Sequence, residues 1–150
     1  MANEPFAADQ WIYSTLKADA TLTALIGGAT SPRIYSDLAP QGPPLPVLPY
    51  VIYQMQSAVN LMIVGPRSFW ANMTYIVKGV NETLSYGGPL LTIAERIIAD
   101  LHATPNGAAN AYGIIWTCVL DDHFRMPEVT AGRNFRHSGG RFRIYASKTT

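Results

Sequence analysis

Asp121-Asp122-His123 is the densest run of potential metal ligands in this 150-residue chain. Adjacent residues of an extended segment point alternately to opposite sides, so three in a row seldom converge on one ion. The run is expected to be a solvated strand end. His102, at the end of a helical segment, and His137, in a stretch rich in Gly and Arg, lie in no ligand spacing such as H-x-x-x-H. Gly27-Gly28 and Gly87-Gly88 lack the Lys-Ser/Thr of a phosphate loop and the full G-x-G-x-x-G pattern, and they read as helix punctuation. No G-x-S-x-G elbow offers a nucleophile. Cys118 sits in the apolar run Ile114 to Leu120 and is expected to be a buried, inert thiol. The sequence therefore predicts no enzyme, with no catalytic residue, no cofactor and no metal.

Charge distribution says more than chemistry does. From Asp121 onward six basic residues (Arg125, Arg133, Arg136, Arg141, Arg143, Lys148) face three acidic ones, whereas the first 120 residues are net acidic by two. Two readings stand: arginines on the wet face of an edge strand, which discourage stray sheet pairing, or a face that meets an acidic partner or nucleic acid. Arg141 and Arg143 lie two apart and would project from one side of a strand. Leu61-Met62-Ile63-Val64, followed by Arg67, is four large apolar residues in a segment without helical or strand period. It is either a plug in the core or an exposed patch for a protein partner.

The elements that must position these residues are legible in part. Asp9 to Ala18 reads as a helix with Asp9 capping its first turn. A shorter helical piece from Thr21 to Ile26 ends at Gly27-Gly28. Arg33 to Leu38 suggests a short strand. Pro40, Pro43, Pro44, Pro46 and Pro49 then exclude a helix or central strand and make a stiff extended arm. Tyr50 to Ser57 and Met73 to Val80 are β-branched and aromatic enough for strands. Leu90, Ile93, Ala94, Ile97, Ile98 and Leu101 form a stripe at helical spacing behind Pro89. That stripe is expected to pack, through Ile97 and Leu101, on Trp116 of a central strand from Gly113 to Leu120, apolar on both faces. Arg141 to Ala146 alternates arginine with apolar residues, the period of a half-exposed strand. The fold class expected is α+β, a mainly antiparallel sheet of about four to five strands with helices on one face, in a single domain spanning residues 1–150.

Composition narrows the class of function. Eleven basic and ten acidic residues leave a net charge of +1, which offers no global field for nucleic acid. Charged residues are only 14% against 48% hydrophobic, so part of the surface is expected to be covered by other subunits. No apolar run is long enough to span a membrane as a helix. Met1-Ala2-Asn3-Glu4-Pro5 has no basic stretch and apolar core, so no signal peptide is expected and the chain is expected to stay inside the cell.

The order of these features resembles the tail completion or tail terminator proteins of long-tailed bacteriophages. The resemblance runs through Leu22-Thr23-Ala24-Leu25-Ile26-Gly27, Arg33-Ile34-Tyr35, the proline-rich segment leading to Leu48-Pro49-Tyr50-Val51-Ile52-Tyr53, and Tyr75-Ile76-Val77-Lys78-Gly79. It continues through the helix Ala94 to Leu101 and the closing His137-Ser138-Gly139-Gly140-Arg141-Phe142-Arg143-Ile144. The resemblance implies a virion protein of the tail or neck, assembled in the host cytoplasm. It would form a six-membered homo-oligomeric ring at the head-proximal end of the tail tube, stop tube growth and join the head. Its implied partners are further copies of itself, the tail tube protein and the head–tail connector or head completion protein, with genomic DNA passing through the lumen and no membrane. Leu61, Met62, Ile63, Val64 and Arg67 are expected at inter-subunit or tube contacts, and Arg133, Arg136, Arg141 and Arg143 at the adjoining ring. Another neck, joining or tail tube protein of the same particle is the nearest alternative. A small nucleic-acid-binding α+β domain is the further one.

Overall fold

Asp19 separates the first two helices, because its side chain suits a helix start and not a helix interior. Its Oδ1 accepts hydrogen bonds from Thr21 N–H at 2.8 Å and Leu22 N–H at 3.1 Å. In the computed structural model, which describes residues 4–61, 70–105 and 107–148, α1 (Glu4–Ala18) ends just before this cap and α2 (Ala20–Leu25) begins just after it. Asp9 is not a cap, as the sequence suggested. Pro5 is suited to a first helical turn, so α1 starts earlier, and Asp9 faces inward to accept a hydrogen bond from Tyr75 Oη at 2.8 Å. Burial raises the Asp9 carboxyl, and the Tyr75 hydroxyl offsets part of that rise.

The remaining elements are β1 (Ile34–Ser36), β2 (Tyr50–Leu61), β3 (Trp70–Glu82), α3 (Pro89–Leu101), β4 (Ala108–Ala109), β5 (Ile114–Thr130) and β6 (Arg133–Ser147). They form one sheet in the order β1-β2-β3-β6-β5-β4. The expectation of a mainly antiparallel sheet of about four to five strands holds in outline: among the described residues the sheet has six strands, and one of its pairings, β1 with β2, is parallel. Its short strand β1 runs parallel to β2 because the proline arm carries the chain back to the same end before β2 begins. No helix among the described residues is long and apolar enough to cross a membrane.

All three helices pack on one face of the sheet. Alternate residues of β3 (Ala71, Met73, Tyr75, Val77) and β6 (Phe142, Ile144, Ala146) join Trp11, Ile12 and Leu16 of α1 and Ile93, Ile97 and Leu101 of α3 in one buried cluster. The α3 stripe is as the spacing predicts. It lies close on β3, where Gly79 leaves room: a Cβ there would stand 2.5 Å from Ile93 Cγ2.

Trp116 does not belong to that core, and β5 is not central. Of its apolar start, Ile115 and Cys118 are buried, while Trp116 and Val119 are 37% and 42% exposed. The centre of the sheet is β3 and β6. Strand β6 is half exposed there because the sheet is a single layer with helices on one side only, so an interior strand still shows one face to solvent. Asp121-Asp122-His123 is also corrected: it lies in the middle of a 17-residue strand, at a bulge between Leu120 and Asp122.

A polar junction ties the helices together. Arg96 of α3 donates from Nε to Asp19 Oδ2 at 2.6 Å and reaches Asp100 Oδ1 at 3.5 Å. Burial works against an ionised Asp19, but Arg96 and the Leu22 N–H hold it below the usual carboxylate range. Burial and the neighbouring Asp19 push Asp100 up to about 7, and its Oδ2 is buried without a partner among the described residues. A carboxyl raised on folding keeps its proton in the folded state while the unfolded chain loses it. Its contribution to stability is complete below about pH 4 and is lost as pH rises to about 7. Asp100→Asn is expected to flatten the melting temperature across that window. Melting curves of both proteins between pH 4 and 7 check this, and an unchanged slope in the variant would refute it.

Candidate subunit interface

Of the residues that the sequence singled out, the helix-free face of the sheet collects Leu61, Arg133, Arg141 and Arg143, and three zones follow one another along it. The first is apolar. Leu61 pairs with Trp70 across the β2–β3 ladder, and the Trp70 and Trp116 rings lie 5.4 Å apart. Val59 and Val119 are exposed beside them. A bulge between Ile115 and Thr117 accompanies Trp116, and its indole N–H donates to Ser147 Oγ at 2.9 Å. Leu61 is thus a strand residue, 39% exposed, and not part of an irregular loop. Met62, Ile63, Val64 and Arg67 lie outside the described residues.

The second zone is charged and self-paired. Arg141 contacts Asp122 and Arg143 contacts Asp121, each at 3.0 Å. Cross-strand register puts Asp122 opposite Arg141, and the bulge turns Asp121 towards Arg143. The face therefore presents alternating signs instead of a positive stripe. Exposed pairs of this kind add little stability, so their use is to set which surface can lie against them.

The third zone is built by the proline arm. Ala39, Ile52 and Val80 are buried there against Tyr35, Leu48, Tyr50 and Phe135, a second small core on the far side of the sheet from the helices. Between the arm and the end of the β5–β6 hairpin lies a cavity of about 290 Å³, with Leu45, Tyr50, Val80 and Phe135 in its walls and Glu128 and Arg133 at its rim. Arg133 donates to Glu82 at 3.0 Å and its guanidinium lies 5.1 Å over the Phe135 ring. His137, expected in a Gly/Arg-rich segment without a role, is buried with Nε2 2.8 Å from Glu128 Oε2. Burial and then Lys78 lower its pKa, so the neutral ring donates to Glu128. The Thr130 hydroxyl, and behind it His137, hold that carboxylate below its usual range.

Arg136 is not with the others. It sits on the helix-bearing side, across from Pro127 and Asn81, and shares the Tyr86 ring with Arg125 at 5.8 and 5.1 Å. Sequence spacing brings Arg141 and Arg143 together. It does not reveal the Trp70–Trp116 pair or the cavity, whose parts are far apart in the chain. The only advance sign of the exposed tryptophan is an apolar strand with more large side chains than one core face needs.

No group of three or more His, Cys, Asp or Glu among the described residues is arranged to hold a metal. Cys118 is buried, and burial pushes its thiol up to about 12, which suppresses the thiolate.

No protein of curated function matches the chain. A solved structure described as the virion of a native gene transfer agent (GTA) particle contains a chain with the same fold. The two superpose with a TM-score of 0.68 at 17% identity, over 95% of this chain and 96% of that one. Residues 10–63, from α1 through the proline arm to the end of β2, match the family model of tail completion protein gp17, and in that segment the chain is similar to the tail completion family.

Proposed function

We propose that this chain is a structural subunit of a virion tail or neck. It forms a closed, six-membered ring at the head-proximal end of the tail tube, ends tube polymerisation and joins the tail to the head connector. The observation that carries this reading is the tail completion match over residues 10–63; the same fold in a gene transfer agent virion supports it. A terminator must copy enough of the tube end to dock on it while offering no second copy of that face beyond. The helix-free face, with its apolar, charge-paired and arm-walled zones, has unlike ends suited to two unlike neighbours. In this reading Leu61 and the residues after it, Met62, Ile63, Val64 and Arg67, serve inter-subunit or tube contacts, while Arg133, Arg136, Arg141 and Arg143 serve the adjoining ring. A protein neighbour is favoured over nucleic acid, because Arg133, Arg141 and Arg143 each already bind a carboxylate of this chain.

Deletion of the gene is expected to leave DNA-filled heads without joined tails, alongside tubes of uncontrolled length. Electron microscopy of the particles checks this. Tails of normal length attached to heads would reduce the chain to an accessory role.

A further inference from the structure

Open strand edges are ready templates for another strand, and proteins blunt them with short strands, prolines, charges or covering segments. Among the described residues, this sheet blunts both of its edges except in one window on each. On the β2 side, β1 covers Val51 to Tyr53: Val51 N–H donates to Arg33 O and Asp37 N–H donates to Tyr53 O. From Gln54 to Leu61 that edge has no strand partner among the described residues, and Met55 to Leu61 are all exposed. The window contains no charge, proline or glycine.

The β5 side is blocked at its start by β4, opposite Ile114 and Ile115. Further along, Ala103 N–H donates to Cys118 O and Leu120 N–H donates to His102 Nδ1, so the end of α3 takes the place of a strand. These contacts show which groups point outward. After the extra residue at Asp121, the outward N–H groups belong to His123 and Arg125, and the next in that series is Pro127, which has none. Among the described residues, the open window on this side therefore runs from Asp121 to Met126.

We infer that the β5 window of one copy pairs, as antiparallel strands, with the β2 window of the next, joining the sheets of neighbouring subunits into one continuous ladder around the ring. This rests on the ring reading above. Strand polarity permits it. From β2 to β5 the four strands β2, β3, β6 and β5 alternate in direction, so two copies related by rotation meet edge to edge with opposed strands. Position permits it as well. Ser57 is level with Thr74, Arg143 and Val119 through the sheet, about five residues, or roughly 16 Å, from the middle of the β5 window. Four strand spacings carry the ladder roughly 19 Å sideways per copy. Closing on that offset needs strands tilted by about 40°, within the range of roughly 35–45° found in closed barrels.

The test uses a proline placed where only the outward bond is lost. The bulge at Gln56 shifts the alternation of β2, so Ala58 and Asn60 point their N–H groups outward. Proline is tolerated at such an edge position. Ala58→Pro is expected to fold, to keep a cooperative melt, and to lose ring formation at least tenfold on isolated tail tubes. Ala58→Val, which keeps the N–H, is expected to form rings normally. Arg125→Pro tests the other window in the same way. Hydrogen exchange on the wild type is independent of any folding defect: the amides of Met55, Ala58, His123 and Arg125 are expected to slow at least tenfold on ring assembly. Rings of Ala58→Pro as abundant as wild type, or unchanged exchange at those amides within formed rings, would overturn the edge pairing alone. Intact rings of the variant that no longer dock on tubes would assign the β2 edge to the tube protein and overturn it too. Absence of rings with the wild type would overturn the ring reading itself.

Discussion

Leu101→Ala is expected to lower stability by about 2–5 kcal/mol, the usual cost of truncating a fully buried leucine. For a domain of this size that corresponds to a melting temperature lower by roughly 4–20 °C. Leu101 closes the apolar stripe of α3 and is fully buried in the main cluster with Ile97, Ile115 and Phe142. Helix α3 and strands β5 and β6 all contribute to that cluster, so no single one can shift to refill the space. Leu91 of the same helix is 40% exposed, and Leu91→Ala is expected to change stability by no more than about 0.5 kcal/mol. Thermal melts of the two variants side by side separate burial from helix propensity, which the two substitutions alter equally. Equal effects would show that the stripe is not what anchors α3.

Gly139→Ala should be at least as damaging, by about 3 kcal/mol or more, although it adds one methyl group. Strands β3 and β6 approach so closely at Lys78 and Gly139 that an added Cβ would lie on backbone atoms, 2.7 Å from Lys78 Cα and closer still to Val77 O. Side chains can turn away from an intruder, but a hydrogen-bonded backbone between two central strands cannot do so without opening the ladder. On the same helix-free face, Phe124 lies across from Gly139 and the Lys78 ammonium is 5.3 Å over its ring. The missing side chain leaves the space in which that contact forms. Wild-type melting of Gly139→Ala would contradict the close approach. Gly132, by contrast, has φ of +75° and open space around its Cβ position, so its requirement is conformational.

The expectations that failed share a cause. Asp9 was a reasonable cap by residue type, and the Ile114 to Leu120 run had the composition of a central strand. Residue type says which groups prefer burial or a helix end, but it does not say which neighbour supplies the burial. Tyr75, 66 positions away from Asp9, decides that Asp9 faces inward. Trp116 meets Trp70 and Ser147 and stays partly exposed because it lies on the face of the sheet that no helix covers. The arginines misled in another way. Arg141 and Arg143 share a face, as period two requires, but Asp122 and Asp121 reach that face only through strand register and a bulge, so their neutralising partners were invisible to spacing.

The sequence by itself determined the local elements whose information is periodic or punctuated: the α3 stripe behind Pro89, the alternation of β6, the arm from Pro40 to Pro49, and an α+β class with too little charge for a lone surface. These follow from 3.6-residue and two-residue repeats and from backbone limits of proline, all of which act within a few residues. Tertiary structure alone decided the order of strands, the single-layered sheet with one helix-free face, the cavity under the arm and the two open edge windows. Those depend on hydrogen bonds between residues tens of positions apart, such as Leu120 with His102 or Asp37 with Tyr53. A strand pattern records which of its sides is apolar, and only the packed chain shows whether helices, solvent or another subunit lies against it.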